Sequence, residues 1–120
     1  MHRGVPLVVS HPDMVCPSPE GGLPDTGAYM ALFEVTTGKS ASHVTGKPNA
    51  GMILHKVEGL GLSPGECAMV GDRLYTDMEM AERAGVHGIR VLSGEAKKED
   101  LASSGLEPTL VVDSVSLLVV

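Results

Sequence analysis

The chain has 120 residues, 42% hydrophobic and 20% charged, which is enough for a packed core and argues against wholesale disorder. Its net charge of −6, from 9 basic and 15 acidic residues, argues against a nucleic-acid surface, which needs a basic stripe. Tyr29, Phe33 and Tyr75 are the only aromatics, so bases have few rings to stack on and the core must be aliphatic and Met-rich.

Val5 to Ser10 is an apolar run that predicts a buried strand. His11 to Asp25 carries four prolines and two adjacent glycines and reads as a loop. Asp25 or Thr26 can cap a helix that runs to Thr37 and stops at Gly38, with Tyr29, Leu32 and Phe33 as its core face. His43 to Thr45 can form a short strand, and Gly46-Lys47-Pro48 a tight turn. A second helix is predicted from about Asn49 to Leu60, with Ile53, Val57 and Leu60 as its stripe.

After a turn at Ser63 to Glu66, Cys67 to Val70 is the next strand. A helix follows over about Thr76 to Ala84, with Leu74, Met78 and Ala81 inward and Gly85 as its stop. Gly88 to Leu92 predicts a strand, Lys97 to Ser103 a short helix and Leu110 to Val112 a strand. Ser114 to Val120 is a last apolar helix or an extended tail. Strands alternating with helices imply an α/β fold with a Rossmann-like parallel sheet and right-handed crossovers.

In such a sheet, ligands bind just beyond the carboxyl ends of the strands. Two turns fall there. One holds Lys47, and the other holds Asp72 and Asp77. Two carboxylates and an ammonium suit a hard cation with a phosphate: Mg²⁺ takes oxygen ligands, and Lys47 neutralises phosphate oxygens. Taken singly, Asp77 is a helix-start acid and Lys47 a solvated turn residue. Glycine beside both groups at successive strand ends favours a site.

GKPNAGMI, VGDRLYTDMEMAERAG and IRVLSGE together resemble the carboxyl-terminal half of the haloacid dehalogenase superfamily, in its NagD-like sugar phosphatase and p-nitrophenyl phosphatase branch. SHPDMVCPSPEGGLPDTGAYMALFEVTTGK resembles the end of that branch's α/β cap domain. The resemblance implies a cap end over residues 1–45 and the second half of the core over residues 46–120. It implies a Mg²⁺-dependent phosphatase acting on a small phosphorylated metabolite. Lys47 would bind phosphate and hold the nucleophile, Asp72 would bind Mg²⁺, and Asp77 would be its supporting or outer ligand. Asp13 and Cys16 would sit on the cap loop facing the substrate; otherwise Asp13 is an ordinary turn acid after Pro12.

Family chemistry also uses an Asp-x-Asp strand, whose first aspartate forms a covalent aspartyl-phosphate. No Asp-x-Asp occurs in this sequence. The expectation is therefore a piece of a longer protein, or a chain that pairs with a complementing chain or with copies of itself, and is inactive alone. The alternative is a non-catalytic remnant or interaction module. A receiver-type phosphoacceptor domain has its motifs in another order.

Other motifs fall away. Gly38-Lys39-Ser40 looks like the end of a phosphate-binding loop, but the glycine required five residues earlier is Phe33. Gly59, Gly61 and Gly65 have the wrong spacing for a dinucleotide fingerprint. The histidines at 2, 11, 43, 55 and 87 form no close pair at zinc-ligand spacing and read as surface or packing residues. Cys16 and Cys67 form no Cys-x-x-Cys pair and read as free, partly buried thiols in a reducing compartment. No stretch approaches a membrane span, and the short apolar run near the start is too short for a signal peptide, so a cytoplasmic protein is expected.

Overall fold

The structure is a computed structural model that describes residues 3–94, 97 and 99–119. It divides into two compact units, Met1–Lys47 and Pro48–Val120.

The first unit opens with β1 (Val8–Val9), which pairs in parallel with β4 (His43–Val44), Val8 opposite His43 and Val9 opposite Val44. Between them, β2 (Val15–Cys16) and β3 (Leu23–Pro24) form an antiparallel pair inside the stretch expected to be a loop. Two-residue strands among prolines give no alternating pattern, so periodicity could not reveal this hairpin. Helix α1 (Thr26–Thr37) matches its predicted bounds. Asp25 caps it, its Oδ1 accepting the Thr26 N–H at 2.7 Å, and Gly38 closes it at φ 67° with its N–H on the Glu34 carbonyl. The expected core face of α1 is a correction: Tyr29, Leu32 and Phe33 are all exposed, and Gly27 is the helix's buried residue. The strands of this unit are two residues each, too short to cover a helix stripe.

The second unit holds α2 (Gly51–Gly59), then β5 (Ala68–Gly71), a π-turn at Leu74–Met78, α3 (Glu79–Ala84), β6 (His87–Val91), α4 (Asp100–Ser104) and β7 (Leu110–Val112). The three strands form a parallel sheet in the order β5-β6-β7, with Gly71 opposite Arg90 and Val91 opposite Val112. A 3₁₀ turn at Val115–Leu118 stands where a helix or tail was expected. The described core lies here: Leu74, Met78, Met80, Ala81, Ala84 and Val86 are buried, and Val57 of α2 is buried in the same unit. Ala50, Ile53, Cys67 and Met69 pack against the cluster of Ala81, Ala84 and Val86. Leu60, expected on the α2 stripe, is 71% exposed, because α2 ends at Gly59 and Leu60 already belongs to the turn.

The predicted helix over Thr76 to Ala84 is in fact two pieces. The Asp77 and Met78 N–H groups both donate to the Arg73 carbonyl, the second bond spanning five residues, before regular α-helix begins at Glu79. Such widened turns recur at functional sites. Arg90, on the central strand β6, is a fully buried cation whose Nη2 donates to the Lys97 carbonyl. Its Nε and Nη1 have no hydrogen-bond partner among the described residues.

Candidate functional site

Asp72 follows β5 directly, so the parallel sheet delivers its carboxylate beyond the carboxyl ends of the strands. The loop leaving the neighbouring strand β6 passes over it. The Asp72 carboxyl lies so close to the Gly94 Cα that any side chain at position 94 would occupy the same space. Asp77 reaches back from the π-turn to the same strand end. Its Oδ2 accepts the Arg73 N–H at 3.2 Å, and a Cβ at position 71 would stand 2.5 Å from its carboxyl carbon and Oδ2. Asp77 is almost wholly buried and Asp72 partly exposed. Glycines at 71 and 94 thus leave a cradle at the end of β5 that two carboxylates enter, a place only residues without a side chain can line.

The donors in this cradle are oxygens. That set suits a small hard cation such as Mg²⁺, which is often held by one or two carboxylates with water and substrate phosphate completing its shell. The residues therefore fit such an ion, which Asp72 would ligate and Asp77 would support.

Lys47 belongs to the first unit. It stands three residues beyond the end of β4, after Gly46, whose N–H donates to the Ser10 carbonyl at 2.6 Å and draws the turn against the end of β1. Lys47 is half-buried. Asp13, also in that unit, is buried beside His11, whereas Cys16 on β2 is a free and exposed thiol. Cys67 is a free thiol, partly buried. The geometry brings Asp72 and Asp77 to one strand end, and it groups Asp13 with His11 and Asp25. Sequence reasoning read His11 as a surface or packing residue and Asp25 as a helix cap, and joined neither to Asp13. The His-x-Asp spacing was the available signal, but Asp25 lies twelve residues further on and is joined to it only by the fold. His2 lies outside the described residues.

Residues 44–118 match the HAD-hydrolase-like family. The chain belongs to that family. It is 32% identical over 113 residues to a dihydroxyacetone phosphatase from Corynebacterium glutamicum, a match covering 94% of this chain and 41% of the relative. A 4-nitrophenylphosphatase from Thermotoga maritima superposes with a TM-score of 0.86 at 40% identity, over 97% of this chain and 44% of that one. A glycerol phosphate phosphatase from Mycobacterium tuberculosis, solved in complex with magnesium, gives a TM-score of 0.87 at 29% identity, over 97% and 35%. This HAD-hydrolase-like chain therefore has the phosphatase fold of its neighbours, and it spans less than half the length of these relatives.

Proposed function

We propose that the chain is the carboxyl-terminal portion of a Mg²⁺-dependent phosphatase that hydrolyses small phosphate monoesters of the sugar-phosphate type. The observation that carries this is the cradle at the end of β5, where Asp72 and Asp77 lie against Gly94 and Gly71. Phosphatases are the relatives that the chain matches along nearly its whole length, and one neighbour is described in complex with magnesium. When bound, Mg²⁺ would supply positive charge for the developing charge on phosphoryl oxygens. Asp72 would hold the ion, and Asp77, fixed by the Arg73 N–H, would orient its shell. Lys47 would neutralise phosphate oxygens as a point charge. Asp13 and Cys16 would belong to the substrate-facing cap segment, residues 1–45, with residues 46–120 forming the second half of the core.

The sequence holds no Asp-x-Asp, so the nucleophile would come from further polypeptide, in the same protein or in a complementing chain. Exposed apolar side chains such as Leu32, Phe33 and Leu117 support such a covering partner, or a homo-oligomer. The same missing pair leaves the chain inactive alone under the first reading and favours the second, a non-catalytic remnant or interaction module. The acidic charge supports a cytoplasmic setting without a nucleic-acid partner. No helix among the described residues is long and apolar enough to cross a membrane.

The test is Mg²⁺-dependent hydrolysis of p-nitrophenyl phosphate by the protein with its nucleophile strand supplied. Asp72→Asn should lower the rate at least about 100-fold, the scale on which mutating even a ligand's outer-shell partner can act. Undiminished turnover in that variant would remove the metal assignment.

A further inference from the structure

A second set of ligand-type side chains lies in the first unit, on two segments separated by the β2–β3 hairpin. After β1 the chain turns through His11 and Asp13, and Asp25 stands at the start of α1. His11 Nδ1 is 3.5 Å from Asp13 Oδ2, and His11 Nε2 is 3.8 Å from Asp25 Oδ1. One ligand atom from each residue can be chosen so that all three lie within 4.8 Å of one another.

Two further observations point to an occupant. The His11 Nδ1 atom is sealed from solvent and has no hydrogen-bond partner among the described residues, a costly state for an imidazole nitrogen. It faces the Asp13 carboxylate, whose side chain is only 4% exposed. The spacing also discriminates. A nitrogen-to-oxygen hydrogen bond spans about 2.7–3.2 Å. Two ligands each about 2.1 Å from a tetrahedral ion stand about 3.4 Å apart. The separation of 3.5 Å is long for the first and matches the second.

The arrangement is also held in place before any ion arrives. The Gly27 N–H donates to the Asp13 carbonyl at 2.8 Å, tying the His11–Asp13 loop to the first turn of α1. Asp25 is fixed by its cap bond, its Oδ1 accepting the Thr26 N–H at 2.7 Å.

We propose that His11, Asp13 and Asp25 form a binding site for a late first-row divalent cation of the Zn²⁺ type. An imidazole with two carboxylates is a harder set than a thiolate site and a softer one than the all-oxygen cradle at β5, so it selects Zn²⁺ over Mg²⁺. Nδ1, the nitrogen that faces Asp13, is the ligand nitrogen, and Asp25 reaches the ion through its carboxylate. The ion closes the segment from His11 to Asp25 and so pins the β2–β3 hairpin that projects from it. This site does not depend on the phosphatase reading. The competing occupant is a proton, with His11 as an imidazolium between two carboxylates.

The experiment is Zn²⁺ calorimetry and Co²⁺ absorption spectroscopy on the untagged chain. The expected result is one saturable site with visible Co²⁺ bands that Zn²⁺ displaces. His11→Asn and Asp13→Asn should each weaken Zn²⁺ binding at least about 100-fold, the upper end of what mutating a ligand's outer-shell partner costs. Asp72→Asn should leave it unchanged. Asp25→Asn keeps a capping oxygen and serves as a further variant if either of the first two fails to fold, with the same weakening expected. The proposal is overturned if Zn²⁺ does not saturate, if binding persists in the folded His11 and Asp25 variants, or if it is lost in Asp72→Asn. Protonated-ring nitrogen signals from His11 that Zn²⁺ does not displace would likewise assign the cluster to a proton.

Discussion

Gly71 does more at the acidic turn than end a strand. Its missing side chain is the space into which the Asp77 carboxyl folds, with a Cβ at that position standing 2.5 Å from three atoms of the aspartate side chain. Gly71→Ala should therefore push Asp77 away and destabilise the second unit by about 1–3 kcal/mol, the usual cost of overpacking a filled site. Urea denaturation of the two forms measures it, and a difference within experimental error would mean the turn yields freely. Gly71 was visible in the sequence as a turn glycine, and Asp72 and Asp77 as a pair at a strand end. Gly94 was not, because the fact that makes it matter is the passage of the β6 loop over Asp72, a contact between two strand ends. Arg90 was missed for a related reason. It interrupts an apolar strand of five residues, and nothing local tells a buried guanidinium from an exposed one.

Among the elements, those set by local chemistry matched their sequence expectations best. The α1 helix has a capping aspartate at one end and a left-handed glycine at the other, and its bounds follow from those two residues. Its partners do not, since Tyr29, Leu32 and Phe33 have helical spacing and yet stay exposed. Spacing reports a stripe, while burial requires something to lie against it. The π-turn at Leu74–Met78 is invisible to periodicity, since one widened turn shifts the pattern by a single residue.

The turn before β5 shows how a local bond becomes a pH effect. Glu66 Oε2 accepts the Ser63 hydroxyl at 2.7 Å and the Ser63 N–H at 2.9 Å. These bonds, the hydroxyl first, hold the Glu66 carboxyl below its ordinary value of 4.5. A depressed carboxyl stabilises the fold above that ordinary value, and the contribution fades as pH falls through the folded one. Ser63→Ala should return the Glu66 titration toward 4.5, followed by carboxyl carbon shifts, and should remove the acid-side loss of stability that this turn contributes. An unmoved titration would show that the N–H bond alone suffices.

Across the whole molecule, two kinds of chemistry separate by unit. The second unit has the described apolar core, the three-stranded parallel sheet and a strand end where two carboxylates lie against glycines. The first has short strands, an exposed helix face and the grouping of His11 with Asp13 and Asp25. The parallel sheet and its strand-end acids followed from the alternation of strands and helices together with GDRLYTD, since both depend on residues close in sequence. The hairpin at Val15–Pro24 and the meeting of His11 with Asp25 did not, because they depend on chain closure across a proline-rich stretch. Membership of the HAD-hydrolase-like family covers residues 44–118, and the chain spans 41% of the C. glutamicum relative. Its role as the metal-holding part of a phosphatase site is the central claim.

That claim is tested most directly by titrating the isotopically labelled chain with Mg²⁺ and following each backbone amide. The account predicts saturable shifts centred on Gly71, Asp72, Arg73 and Gly94, abolished in Asp72→Asn and left intact in His11→Asn. Shifts that do not saturate, or that survive in Asp72→Asn, would contradict it.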